Sequence, residues 1–294
     1  MSAWADSFIA VDWGTTNRRA YLVENGGRCG DEFEDGRGIL SLERTEFKAA
    51  VAEIRQRLGD RPMLLAGMVG SNRGWMEAPY VSCPAGLGDL AAKLVWPASD
   101  SAIVPGVCLT GERSDVMRGE EVQVLGAVGS GAVPDDCLVC HPGTHNKWIR
   151  VSAGKIDSFR TVMTGELFNL LKDRSILSEI LGGSAGTGEA FCEGVKKGLA
   201  GSGLTAELFE ARARFLLGRL GKADGASFVS GLLIGEDVRV GISENRDSRV
   251  ILMGRPELTS LYATALAECG REATQIDGEG AFIAGACRIV ERIR

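Results

Sequence analysis

The 294-residue sequence predicts an α/β protein built from two similar domains, on three observations. Residues 8–22 run from an apolar strand through the polar tip Asp12-Trp13-Gly14-Thr15-Thr16-Asn17 into a second apolar strand, the pattern of a β-hairpin. Residues 138–149 repeat the arrangement, with Gly143-Thr144-His145-Asn146-Lys147 where the first has Gly14-Thr15-Thr16-Asn17-Arg18. After the first hairpin comes an amphipathic helix and then a buried strand, the way a ribonuclease-H-like domain begins. The domains are expected at 1–130, joined by a terminal helix 279–294, and at 131–278, facing each other across a nucleotide.

The hairpin tips suit phosphate. Gly14 lets the backbone approach an anion, Thr15 and Thr16 add hydroxyl and N–H donors, and Asp12 at the strand end can hold a magnesium ion through water. The alternative is an ordinary turn, which uses the same residue types.

Composition narrows the classes. The chain is 45% hydrophobic and 24% charged, that of a globular protein long enough for two cores. A formal charge of −6 and a pI near 5.2 give no footprint for nucleic acid or an anionic membrane. No apolar run reaches a membrane span, and Met1-Ser2-Ala3-Trp4-Ala5-Asp6 lacks a basic region followed by a hydrophobic one, so the expected location is cytoplasmic. The eight cysteines are expected as free thiols. Cys137-Leu138-Val139-Cys140-His141 matches a haem-attachment pattern and, with His145, a zinc pattern. Both are rejected, because in a strand Cys137 and Cys140 point to opposite faces.

Further along, residues 46–58 carry Phe47, Ala50, Val51, Ile54 and Leu58 at helical spacing, and 63–69 read as a buried strand. The loop 70–80 sets donors, an aromatic ring and a carboxylate close together, as polyol-binding loops do; equally, Trp75 fits a core plug and Glu77 a solvated charge. A short helix is expected over 87–96 and a strand over 102–107. In 110–127, Asp115, Glu120 and Glu121 read either as capping and surface acids or as the place of a general base, with Asp115 at a helix start. Residues 182–189 are Gly-rich but lack a Gly-Lys-Ser/Thr ending and a preceding strand, so they are expected to be a connector. Helices are expected at 190–199, 205–220 and 228–241. Residues 249–258 are a strand broken by Gly254 that runs into a helix at 259–269, a junction where adenine and ribose can lie on bare backbone. The last segment, 277–288, reads as a Gly-rich turn and a helix with a face of small residues.

Taken together, these motifs resemble the actin/hexokinase superfamily of ATP-dependent kinases and, within it, the 2-dehydro-3-deoxygalactonokinase family. The carrying residues are Asp12-Trp13-Gly14-Thr15-Thr16-Asn17 with Arg19, Gly67-Met68-Val69-Gly70-Ser71 with Gly74-Trp75, and Glu77-Ala78-Pro79-Tyr80 with Cys83-Pro84-Ala85. They continue with Asp115-Val116-Met117-Arg118-Gly119-Glu120-Glu121, Pro142-Gly143-Thr144-His145 with Lys147-Trp148, Thr164-Gly165-Glu166-Leu167-Phe168, and Gly231-Leu232-Leu233-Ile234-Gly235. Arg18 stands where the family pattern has an apolar residue, Asn72-Arg73 where it has Arg-Gln, and Asn146 where it has Ser.

The resemblance implies two ribonuclease-H-like domains with an interdomain active-site cleft, and transfer of the ATP γ-phosphoryl to the terminal hydroxyl of 2-dehydro-3-deoxy-D-galactonate. It implies that Gly14, Thr15, Thr16, Gly143, Thr144 and His145 grip phosphates, that Gly254, Arg255 and Leu258 take the nucleoside, and that Asp12 positions Mg2+. Asn17, Arg19, Ser71, Trp75, Glu77 and Arg118 are the implied sugar-acid residues, with Arg73 a further candidate for the carboxylate. Lys147 would neutralise the transferring group. Asp115 is the first choice of base and Glu120 the rival; the superfamily's acid often lies about two helical turns before a glycine such as Gly126, which favours Glu120. A kinase for another sugar, or an actin-like or chaperone-like ATPase controlling a protein partner, is the alternative. A homodimer stays open.

Overall fold

The structure is a computed structural model describing residue 4, residues 6–243 and residues 249–293. Met1–Ala3 and Ala5 of the start considered above, and Arg294 of the terminal segment, lie outside the described residues. The chain forms two compact units. The first takes the described residues up to Asp136, Val151–Ser158, and those from Asp277 onward; the second takes Cys137–Arg150 and Phe159–Ile276.

In the first unit, β1 (Ser7–Trp13), β2 (Arg18–Glu24) and β3 (Cys29–Asp35) pair antiparallel, and helix α1 (Phe47–Leu58) leads to β4 (Met63–Gly67), parallel to β1. Every apolar residue at the helical spacing of α1 is buried, and Gly59 ends the helix at φ +92. The chain continues through β5 (Val81–Ser82), α2 (Leu87–Ala91), β6 (Val95–Ala98), β7 (Ser101–Ile103), β8 (Val107–Thr110), β9 (Ser114–Met117) and α3 (Glu120–Gly129). The main sheet runs β3-β2-β1-β4-β7-β6, and β5-β8-β9 form a small second sheet. Ile9, Val11, Trp13, Phe47, Ile54 and Leu65 make the core between sheet and helix.

Three expectations change here. The helix expected over 87–96 stops at Ala91, because Val95–Ala98 pairs with β7 at the sheet edge, where Pro97 needs no ladder partner. The strand expected over 102–107 is two strands in different sheets, separated at Pro105-Gly106. Asp115 is not at a helix start. It lies in β9, opposite Leu109 of β8, and the helix begins at Glu120.

Arg18 also finds its reason. It is 1% exposed, gives Nε and Nη2 to the two carboxylate oxygens of Asp35 at 2.9 and 3.0 Å and Nη1 to the Ala50 carbonyl, and lies over the Trp13 and Phe33 rings. A buried guanidinium that is bidentately paired and stacked can replace an apolar side chain without leaving a bare charge.

In the second unit, β10 (Cys137–His141), β11 (Asn146–Ser152) and β12 (Lys155–Val162), apart from residues Val151–Ser158 that count with the first unit, precede α4 (Thr164–Arg174), α5 (Glu189–Ala200), α6 (Leu204–Leu216) and α7 (Gly225–Ile242). Then come β13 (Val250–Met253), α8 (Pro256–Glu268) and β14 (Ala273–Ile276), and the sheet order is β12-β11-β10-β13-β14. Helices α5 and α7 touch backbone to backbone. A Cβ on Gly194 would lie 2.1 Å from the Phe228 carbonyl oxygen, and one on Gly235 2.3 Å from that of Val195.

The final helix, α9 (Gly278–Val290), counts with the first unit. The Gly-rich turn expected at its start is its own first turn, capped by Asp277, whose carboxylate accepts from the N–H groups of Glu279 and Gly280. Its small face crosses α3: a Cβ on Gly126 would lie 2.0 Å from the Ala281 carbonyl oxygen, and one on Gly285 2.1 Å from that of Val122. Among the described residues, no helix is long and apolar enough to cross a membrane.

Candidate active site

In the first unit the site grows from the end of β1. Register pairs Asp12 with Arg19, and the turn between them is held from outside: the N–H groups of Gly38, Ile39 and Leu40 donate to the carbonyls of Thr16, Gly14 and Thr15. Gly38 must be glycine, since a Cβ would lie 2.3 Å from the Thr16 carbonyl carbon. The Thr15 and Thr16 side chains stay exposed. Beside β1, β4 ends at Gly67 with φ +89, where a Cβ would sit 2.7 Å from the Trp13 carbonyl oxygen and 3.4 Å from Asp12 Oδ1. Gly119, with φ +115 and capping α3, stacks on Gly67 in turn. Two bare glycines thus bring the first residue of α3, Glu120, to Asp12.

Electrostatics record the proximity. The Asp12 carboxyl is pushed up to about 6, first by desolvation, with Glu120 and Glu34 adding to the shift and Arg19 opposing it. A carboxylate set back from water with acids around it suits a cation. Magnesium usually needs only one or two carboxylates beside substrate phosphates and water, so Asp12 fits it.

Glu121, one of the three acids that fit either capping and surface charge or a general base, is fully buried. Its Oε2 accepts from the Gly119 N–H at 2.7 Å, while Oε1 has no hydrogen-bond partner. Desolvation, then Glu120, pushes its carboxyl up to about 8. The folded protein keeps this proton between the ordinary 4.5 and about 8, where the unfolded chain has lost it, so the stability Glu121 contributes falls as pH rises through that window. Glu121→Gln keeps an acceptor for Gly119 and removes the ionisation. The thermal midpoint of the variant is expected to fall less steeply than that of the unaltered protein between about pH 5 and about pH 9. Parallel slopes would show that Glu121 is not the titrating group.

The other first-unit residues divide. Arg19 gives its Nε to Glu34 at 3.0 Å, and Asn17 Nδ2 donates to the same carboxylate at 2.9 Å, so both are engaged on the sheet surface. Ser71 is buried and accepts from the Arg73 N–H. Trp75 packs against the core, as the plug alternative had it, and Glu77 is exposed. Arg118 is different: Nη2 donates to the Ala78 carbonyl at 2.8 Å and the guanidinium lies 4.4 Å from the Tyr80 ring centroid, while Nε and Nη1 are buried without hydrogen-bond partners. A Cβ on Gly70 would lie 3.0 Å from Nη1, so Gly70 lets the guanidinium pack close to the backbone. Asp115 Oδ1 accepts from the Val116 N–H.

In the second unit the Gly143-Thr144 turn abuts the start of α4. A Cβ on Gly165 would lie 2.6 Å from the Gly143 carbonyl oxygen, and the Glu166 N–H donates to the Thr144 carbonyl at 2.9 Å. A turn against a helix N-terminus favours an anion. Gly143, Thr144, Thr164, Gly165, Leu258 and Tyr262 line a cavity of about 360 Å³. Its wall is apolar at Phe168, Leu233 and Ile234, with Asn169 and Ser230 as polar points. Leu258 shares this cavity with the hairpin, Gly254 sits against Pro142, and Arg255 caps α8. His145 pairs with Glu166, and Lys147, 5% exposed, turns its ammonium back to 3.4 Å from the His145 carbonyl.

The α/β fold matches that of the actin/hexokinase-like kinases and ATPases. Residues 12–289 match the family described as 2-keto-3-deoxy-galactonokinase. The chain is 36% identical over 294 residues to the 2-dehydro-3-deoxygalactonokinase of Escherichia coli K12, covering 97% of this chain and 98% of that one. A crystal structure from Sinorhizobium meliloti, described as a "putative 2-dehydro-3-deoxygalactonokinase protein", superposes with a TM-score of 0.91 at 32% identity, covering 97% of this chain and 99% of the other. The xylulose kinase of Lactobacillus acidophilus shares the fold alone, with a TM-score of 0.52 at 10% identity over 98% of this chain and 89% of the other. The chain belongs to the 2-keto-3-deoxy-galactonokinase family and is a kinase of that family.

Proposed function

We propose that this kinase phosphorylates the terminal 6-hydroxyl of 2-dehydro-3-deoxy-D-galactonate with ATP. The observation that carries the proposal from the chain's own geometry is the Gly67–Gly119 stack, which sets an acid at a helix start beside Asp12. The cavity of the second unit takes the adenine nucleoside, with its phosphates at Gly143, Thr144 and the start of α4. The exposed Thr15 and Thr16 of the first unit's hairpin tip are suited to bind phosphate. Glu120 accepts the proton as the substrate oxygen attacks the γ-phosphorus, and the bond from that phosphorus to the bridging oxygen breaks to release ADP. Magnesium, when bound at Asp12, supplies charge neutralisation to the phosphates.

The acid group of the substrate goes to Arg118, whose two unpartnered nitrogens suit a carboxylate. Arg118→Ala is expected to raise the KM for the sugar acid by roughly 10-fold or more and leave the KM for ATP near its original value, since a hydrogen bond to a charged group contributes about 1.5–3 kcal/mol. Steady-state ADP release with each substrate varied in turn is the measurement. An unchanged KM for the acid would move the carboxylate to Arg19 or Arg73.

A further inference from the structure

Within the second unit, one buried carboxylate collects donors from nearly every element around the cavity. Asp237, on α7, is 0% exposed. Asn146 Nδ2 donates to Oδ1 at 2.9 Å and to Oδ2 at 3.0 Å, Trp148 Nε1 to Oδ1 at 2.7 Å, and the Tyr262 hydroxyl to Oδ2 at 2.5 Å; the Thr164 hydroxyl also donates to Oδ2. Asn146 in turn accepts from the Cys140 thiol through its Oδ1. One side chain thus ties α7 to β11, the first residue of α4 and the middle of α8, and through Asn146 to β10.

Those are the elements that shape the pocket. The Gly143-Thr144 turn joins β10 to β11, Thr164 opens the helix that abuts the turn, and Tyr262 is in the cavity wall. Neither Asp237, Asn146 nor Trp148 lines the cavity. Placement is close: a Cβ on Gly241, one turn beyond Asp237, would lie 2.0 Å from the Trp148 ring, so α7 packs directly on that ring. We infer that Asp237 is the positioning residue of the nucleotide pocket, holding the phosphate turn, the α4 start and Tyr262 in the arrangement that receives the nucleotide. The inference rests on the nucleotide reading of this cavity. A carboxylate with its acceptor sites filled from separate elements fixes their relative placement, and a small misplacement of a binding turn costs far more in function than in folding.

Asp237→Asn and Trp148→Phe test it in the 294-residue chain. The first replaces the carboxylate, and the second removes one bond without touching the cavity. Asp237→Asn is expected to raise the ADP dissociation constant by roughly 10-fold or more and the KM for ATP in parallel, with the KM for the sugar acid within about 2-fold; Trp148→Phe should move the same two quantities in the same direction by about 3-fold. Lower thermal midpoints with all three constants unchanged would overturn the inference and leave Asp237 a packing residue. Should Asp237→Asn fail to fold, Trp148→Phe decides by the same criterion. Unaltered protein that binds no ADP would remove the nucleotide reading itself, whereas unaltered ADP binding in the folded variants would remove only the positioning role.

Discussion

Glu120→Gln is expected to lower turnover by roughly 100-fold or more while ATP affinity stays near that of the unaltered protein, because general-base catalysis typically contributes about that factor. The expectation follows from backbone placement. Gly67 and Gly119 stack with positive φ, leaving no side chain between the end of β4 and the start of α3, so Glu120 enters the helix beside Asp12. Asp115→Asn is expected to keep near-normal turnover, since Asp115 belongs to β9 of the small sheet. Turnover and ATP affinity measured on both variants check the assignment. Full turnover in Glu120→Gln would place the proton acceptor elsewhere.

The second large effect is expected at Gly126→Ala. The added carbon would meet the Ala281 carbonyl oxygen at 2.0 Å and the Gly285 nitrogen at 2.5 Å, all of it backbone that cannot turn aside. Helix α3 must then lift from α9. Alanine favours an isolated helix over glycine by about 1 kcal/mol, whereas overpacking a tight contact costs about 1–3 kcal/mol, so the clash outweighs the propensity and the thermal midpoint falls. Because α3 carries Glu120, turnover should drop more than the folded fraction does. A midpoint equal to or above that of the unaltered protein would show that the crossing has room.

Much of this was legible in the chain, and the boundary is physical. The two hairpins announce themselves by local alternation and turn chemistry, and α1 by its spacing, because both signals lie within a few residues. Their order suggests two similar domains, and the resemblance of the motifs to a known family implies the actin/hexokinase-like fold. Asp115 misled because acids before an apolar run also mark a helix start; the pairing of β9 with β8 decides otherwise, and that pairing is tertiary. Asp237 gives only a weak signal, one of two adjacent acids inside a long apolar helix, since its partner Asn146 lies 91 residues away in the chain. Arg18 and Asn146, the two departures from the family pattern whose side chains are buried, each make bonds that only the folded chain brings within reach.

The most direct test is product analysis. Purified protein incubated with ATP, magnesium and 2-dehydro-3-deoxy-D-galactonate should form ADP and an organic phosphate in equal amounts, with phosphorus coupled to the two protons of the terminal carbon in the magnetic resonance spectrum. ADP appearing with inorganic phosphate, at a rate the sugar acid does not change, would contradict the account and point to an ATPase.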